Sequence, residues 1–412
     1  MFWSGEAELA DELQRSALLG KLTRPVSGLM ATTYRWVDER LGVTDLVHQL
    51  LYEAVPRRGA WAYSLGSATL ILIVLQITTG IFLLWTYVPS TTEAWQSLNF
   101  IEYHDEFAAI VRGMHLWGAY VLFVVIGLHM VRTFVSGSYK KPRELNWIIG
   151  VVLFLLVLGL GITGAMLPWD QAAYWTAVVV THVVSYLPIF GTQVQEILRG
   201  GPQMGPATLT RFFAIHIWLL PALLVPMIGL HLILLRRHGE HGSWVNYEGV
   251  EEETEAERAQ RMAHAEAPYP ALPSDPGYAV PMDLDEFFPS QVFKDAVVSF
   301  GLVLLIFVMA VVIGAPLERA ANPAALNYVP TPEWFFLPLD QLLVQFPQAW
   351  MIPVGVFIIP GIGTTLLMLV PFLDRTPGRE PWRRPEVMVP ALFVVLFLVF
   401  EALLAVNRLF NL

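Results

Sequence analysis

From residue 60 onward, long apolar runs alternate with short polar breaks. Runs long enough to cross a bilayer, which takes about 20 residues, fall at 62–88, 107–135, 147–168, 212–235, 293–315, 350–373 and 387–408. Seven membrane-spanning helices are expected. An eighth run, 172–190, is broken by His182, Ser185 and Pro188 and follows a Leu-Pro-Trp-Asp stop, so it reads as an interfacial or re-entrant helical hairpin. Ahead of the first span, residues 29–54 interleave charges with Trp36, Leu41, Leu46 and Leu50, the pattern of an amphipathic surface helix. Between spans four and five, a stretch acidic at Glu251-Glu252-Glu253 and Pro-rich through Pro268, Pro270, Pro273 and Pro276 reads as a linker. The expected fold class is an all-α integral membrane protein. Its parts are an N-terminal segment 1–60, a four-span unit 61–239, a linker 240–285 and a three-span unit 286–412.

Basic residues orient the spans. Lys140, Lys141 and Arg143 follow span two, Arg236 and Arg237 follow span four, and Arg375, Arg379, Arg383 and Arg384 follow span six. An alternating topology puts all three loops on one side, and the positive-inside rule makes that side the cytoplasm. The N-terminus is then cytoplasmic, and the long connections 169–211 and 316–349 face outward together.

Composition narrows the chemistry. With 55% hydrophobic and 15% charged residues among 412, the chain belongs with membrane proteins rather than soluble ones. The absence of cysteine excludes disulfides, iron–sulfur clusters, thiolate-ligated metals and covalently attached c-type haem within this chain. A net charge of −10 argues against nucleic-acid binding and reads as a solvated rim on loops. The first sixty residues show no apolar core with a cleavage site, so no cleaved signal peptide is expected.

Four histidines stand inside apolar spans, His115 and His129 on the second, His216 and His231 on the fourth. Ionisable residues are costly there and usually functional. Steps of fourteen and fifteen residues correspond to roughly 21–22 Å of helix, two levels within a core about 30 Å thick. On ideal helices the second histidine falls about 40° short of the first in one span and about 60° past it in the other. Each pair therefore keeps to one broad face, and two such helices face to face offer two bis-histidine clamps for stacked haems. Gly66 and Gly80 on span one, and Gly150 and Gly164 on span three, repeat at the same fourteen-residue step, which suits close approach of a flat ring or a neighbouring helix. Arg112 and Arg132 lie three residues from His115 and His129, as candidates for haem propionates.

These residues carry a resemblance. The stretch from about Trp36 to Pro385 resembles the cytochrome b subunit of quinol-oxidising cytochrome bc and photosynthetic cytochrome bf complexes. The likeness includes Leu75-Gln76-Ile77-Thr78-Thr79-Gly80, the histidine pairs, Lys140-Lys141-Pro142-Arg143-Glu144-Leu145, Leu167-Pro168-Trp169-Asp170-Gln171, Leu209-Thr210-Arg211-Phe212-Phe213 and Pro332-Glu333-Trp334-Phe335. The fifteen-residue step and the Pro-Trp-Asp-Gln run favour the photosynthetic branch, in which the four-span and three-span parts are separate chains; here they are fused.

The resemblance implies two non-covalent b-type haems, one on His115 and His216 near the outer face, the other on His129 and His231 near the inner face. It implies cofactor contacts at Gln76, Arg112, Arg132, Arg211 and Arg236, and quinol oxidation at Pro332, Glu333 and Trp334, with Glu333 taking the proton. Burial beside an apolar quinone pocket would raise its pKa toward neutrality. It implies a Q-cycle with a Rieske iron–sulfur protein and a c-type cytochrome or soluble acceptor as partners, a homodimer, surrounding lipid, and a prokaryotic inner membrane. Arg236 and Lys141 are candidates for an inner quinone site. Where the photosynthetic branch has a haem-tethering cysteine, this chain has Tyr63-Ser64-Leu65-Gly66, which rules out a covalent third haem there and leaves a loosely held one open. Ala165 and Phe335 stand where the family commonly has tyrosine. Two other classes fit parts of the pattern: a di-haem anchor passing dehydrogenase or hydrogenase electrons to quinone, and a transporter with proton-relaying histidines. The anchor does not account for Pro332-Glu333-Trp334 with a three-span extension, and the transporter predicts no haem absorbance.

Overall fold

The structure, a computed structural model, describes residues 32–36, 38, 54–56, 60–238, 284–348 and 350–410. Residues 240–283 of the expected 240–285 linker and most of the expected 29–54 helix lie outside them; within the latter, residues 32–36 and 38 are helical. Residues 56–238 and 294–410 belong to one compact unit, and the described residues of 1–55 with 284–293 to a second, smaller one. Two three-residue strands, Ala54–Pro56 and Leu284–Glu286, form a minimal ladder; the fold is otherwise helical.

Seven helices are long and apolar enough to span a membrane: Trp61–Leu83, Glu106–Val135, Glu144–Ala165, Pro206–His238, Phe287–Val312, Val354–Leu373 and Pro385–Phe410. The first ends five residues before the expected 88, in a run of turns at Leu84–Thr86, and the fourth begins six residues before the expected 212. The 172–190 run is not a span. It forms the helix Gln171–Val184, followed after a turn by the amphipathic helix Gly191–Arg199. Asp170 caps the first by accepting the Ala173 N–H at 2.9 Å.

The exterior of the bundle is apolar, with Val74, Val131, Trp218, Phe300 and Leu392 among many exposed large side chains, as lipid requires. The interior core joins Ala68 and Leu72 of span one, Leu122 and Ile126 of span two, Val157 of span three, Leu224 of span four and Ile306 of span five. Leu122 and Ile126 lie between His115 and His129 in sequence, so an apolar layer separates the two histidine levels.

Spans five to seven are tied to the rest at both ends. At one end, the Trp169 to Gln171 stretch pairs with the connection after span five. The Gln171 N–H donates to the Arg319 carbonyl at 2.9 Å, the Asn322 N–H to Gln171 Oε1 at 2.7 Å, and the Glu318 N–H to Asp170 Oδ2 at 3.1 Å. At the other end, Arg384, Tyr139 and the Asp374 side chain are fully buried. Arg384 donates to Asp374 Oδ2 at 3.3 Å and to the Val135 carbonyl at 2.5 Å, while Lys140 reaches Asp374 Oδ1 at 2.9 Å. Burial pushes the Asp374 carboxyl up, but hydrogen bonds from Lys140, Thr376 and Tyr139 outweigh it and hold the pKa down at about 2.

Candidate functional site

The fourteen-residue glycine repeat has a local meaning. A β-carbon on Gly80 would stand 3.3 Å from His115 Cε1, on Gly66 3.3 Å from His129 Cε1, on Gly164 2.7 Å from His216 Cε1, and on Gly150 3.5 Å from His231 Cε1. Each glycine thus makes room for the edge of one imidazole across a helix–helix contact. One level of the bundle holds Gly80, His115, Gly164 and His216; the other holds Gly66, His129, Gly150 and His231.

The unequal histidine steps also have a cause. On an ideal helix the fourth span would carry its histidines out of phase with those of the second. Instead Ile215–Leu219, which includes His216, is a π-helical segment. A π turn accommodates an extra residue, so fifteen residues do the angular work of fourteen. Pro221 stands two residues beyond Leu219 and has no N–H for the regular ladder, which favours the irregular turn there.

Threonine fixes the rings at the first level. Thr79 precedes Gly80 and Thr163 precedes Gly164; their hydroxyls lie 2.9 Å from His115 Nδ1 and 3.1 Å from His216 Nδ1. Each hydroxyl gives its proton to the carbonyl four residues back, Leu75 or Gly159, at 2.7 Å. Its oxygen is therefore left to accept, so the imidazole carries its proton on Nδ1 and keeps a lone pair on Nε2. The Gln76 and Leu160 backbones support the same two rings. At the second level no threonine precedes the glycines, and His231 Nδ1 is directed at the Asn146 backbone without a full hydrogen bond.

This donor set fits a haem. The His115 and His216 ring centroids are 6.3 Å apart, the spacing of imidazoles whose nitrogens each stand about 2 Å from a shared ion. Among the described residues no cluster of three or more His, Asp or Glu could bind a bare metal. A haem iron needs only two axial protein ligands, because the macrocycle supplies the others.

The remaining sequence candidates have diverse surroundings. Arg112 is buried and engaged at 2.5 Å with both Glu102 Oε2 and the Ala315 carbonyl, and at 3.3 Å with the Pro316 carbonyl, so it joins span two to the connection after span five. Arg132 stacks 3.9 Å over the Tyr63 ring. Arg211 donates to the Glu196 and Ile197 carbonyls at the end of the amphipathic helix. Arg236 is exposed at the end of span four. Gln76 is half-buried beside Gly118, its buried Nε2 without a partner among the described residues.

Pro332, Glu333 and Trp334 lead into a short 3-10 turn, Trp334–Phe336. Phe335 stacks on Phe123 of span two, centroids 3.8 Å apart, and lies against Gly161 of span three. Glu333 accepts a hydrogen bond from the Tyr120 hydroxyl. Burial raises its pKa, the Tyr120 bond opposes that rise, and the charge of Asp170 adds to it. Thr79, Thr163 and Tyr120 are site residues that the sequence pattern does not single out. The two Thr-Gly dipeptides were the available signal for the threonines; nothing local marks Tyr120.

Comparison with known proteins gives the family. The Cytochrome b/b6/petB family description matches residues 52–239. A menaquinol:cytochrome c reductase cytochrome b subunit from Bacillus subtilis (strain 168) is 43% identical over 217 residues, covering 51% of this chain and 97% of the relative. Cytochrome b6 from Synechococcus sp. (strain JA-3-3Ab) is 37% identical over 213 residues, 52% of this chain and 99% of the relative. A solved structure, a hyperthermophilic respiratory Complex III, superposes with a TM-score of 0.71 at 26% identity over 90% of both chains. The chain belongs to the cytochrome b/b6 family, as a bc/b6f-type cytochrome b. It is a multi-pass membrane protein of the kind that binds b-type haem and serves quinol:cytochrome c reductases.

Proposed function

We propose that this chain is the subunit in which quinol is oxidised at one membrane face and one of its two electrons is returned to quinone at the other, with protons released outside and taken up inside. The observation that carries this reading is the pair of histidine levels, each ring seated on its own glycine, with Nε2 left as a lone-pair donor where the hydroxyls are resolved. His115 with His216, and His129 with His231, would each hold one b-type haem. When bound, the two supply a one-electron path across the bilayer.

The rest is the work of this chain's own residues. Glu333, half-buried and with a raised pKa, takes a proton from quinol and releases it outward. Thr79 and Thr163 hold the outer imidazoles in one tautomer. Leu122, Ile126, Val157 and Leu224 keep water and ions out between the levels. Arg236 and Lys141 are the basic candidates near an inner quinone. The side with Lys140, Lys141 and Arg143 is cytoplasmic in this reading. Menaquinol, named for the Bacillus and Geobacillus relatives, is the substrate class to try first. A Rieske iron–sulfur protein accepts the other electron and passes it to a c-type cytochrome, in a homodimeric complex of a prokaryotic inner membrane.

The test is a redox titration of the reduced-minus-oxidised spectrum of the purified complex, with haem quantitation, repeated for His129→Ala. Two b-type components, with the higher-potential one lost in the variant, support the reading. One component or none removes it.

A further inference from the structure

The Pro332-Glu333-Trp334 stretch ends in Phe335, and the end of span three offers Ala165; neither brings a hydroxyl to Glu333. The side chain that does is Tyr120, 213 residues away in sequence and five beyond His115 on the same helix. It is held between Trp117, centroids 5.5 Å apart and edge-on, and Phe335, 6.2 Å apart. Its hydroxyl donates to Glu333 Oε2, while Oε1 has no hydrogen-bond partner among the described residues. One carboxylate oxygen is anchored and the other is left to accept.

We propose that Tyr120 is the positioning residue for the base at Glu333, fixing one oxygen so that the other takes the quinol proton. The inference rests on the proton-accepting role proposed above for Glu333. In the step, the quinol O–H bond breaks and a carboxyl O–H forms on Glu333; the electrons leave separately to the one-electron acceptors already named. A phenol that donates to the carboxylate favours its ionised form, so Tyr120 keeps the base available in a site where burial works against it. The titratable groups acting on Glu333 are Tyr120 from span two and Asp170 from the stretch before the Gln171–Val184 helix. Span three, which meets the motif at Gly161, carries no titratable side chain between Trp147 and Ala165.

The experiment compares Tyr120→Phe and Glu333→Gln in the purified complex, measuring steady-state reduction of cytochrome c by a short-chain menaquinol analogue from acid to alkaline pH. An infrared titration follows the protonated-carboxyl band that Glu333→Gln removes. Loss of the phenol hydroxyl is expected to move the acidic limb of the rate profile and the infrared titration to higher pH. The result is a severalfold loss of kcat/KM below neutrality that closes at alkaline pH, with haem content unchanged. A pH-independent loss, or a Tyr120→Phe profile that overlays the parent while Glu333→Gln is slow, overturns the Tyr120 assignment alone. If Glu333→Gln turns over at the parent rate, the role of Glu333 falls, and this inference with it.

Discussion

Gly164 lies so near His216 that a β-carbon there would stand 2.7 Å from the imidazole Cε1, closer than real side chains approach one another. Gly150 holds the equivalent relation to His231 at 3.5 Å, an ordinary contact. The same sequence device is therefore tight at Gly164 and relaxed at Gly150, with Gly66 and Gly80 between them at 3.3 Å. Gly164→Ala must displace His216, and the b-type component dependent on it is expected to be lost or strongly shifted. Gly150→Ala is expected to retain both components. Difference spectra of the two variants decide this; equal damage by both would contradict it.

Thr163→Val removes the acceptor at His216 Nδ1 while keeping the side-chain shape. A hydrogen bond accepted from Nδ1–H makes an imidazole a stronger donor to a metal. Its loss should raise the midpoint potential of one b-type component by roughly 20–60 mV, the equivalent of ~0.5–1.5 kcal/mol for one hydrogen bond. The other component should not move. Potentiometry that finds both shifted, or neither, denies Thr163 this role.

The Asp374 network predicts a pH limit. A carboxylate whose pKa is lower in the folded state adds stability above its unfolded value of about 3.9. Here that contribution fades as pH falls toward a folded value of about 2. Thermal unfolding of the complex should show no contribution to pH dependence from this network between pH 5 and 8, then a decline below pH 4. Arg384→Met, which leaves Asp374 with Lys140 as its cationic partner and removes the buried bonds to the Phe134 and Val135 carbonyls, should cost ~1–3 kcal/mol at neutral pH. Unchanged melting in Arg384→Met would show that the network contributes nothing.

The chain has no cysteine, so single introduced cysteines report sidedness without background. Lys141 and Gln193 are both exposed, at opposite ends of the bundle in the expected topology. In intact inverted vesicles, Lys141→Cys should react with a membrane-impermeant maleimide and Gln193→Cys should not. The reverse pattern would invert the orientation.

What the sequence reveals and what it hides follows from the range of the interactions. The histidines and glycines were legible because a helix repeats its directions at fixed steps, and a fourteen-residue period shows in one dimension. Thr79 and Thr163 sit beside those glycines, but their role depends on which helix face meets which ring. Nearness to His115 in sequence suggests a propionate partner in Arg112, and the packing engages it with Glu102, Ala315 and Pro316. Two of those three lie in the three-span part of the chain. Tyr120 was invisible for the same reason, since its partner Glu333 is brought to it only by the packing of Phe335 against Phe123 and Gly161.

The π turn at His216 is a residue's worth of slack. A chain one residue shorter between His216 and His231 could reach the same alignment with an unbroken α-helix, as the second span does between His115 and His129. The two spacings are thus separate solutions of one phase condition. Insertion or deletion of a single residue, normally ruinous inside a packed helix, becomes a neutral exchange here, because the irregular turn stores the difference.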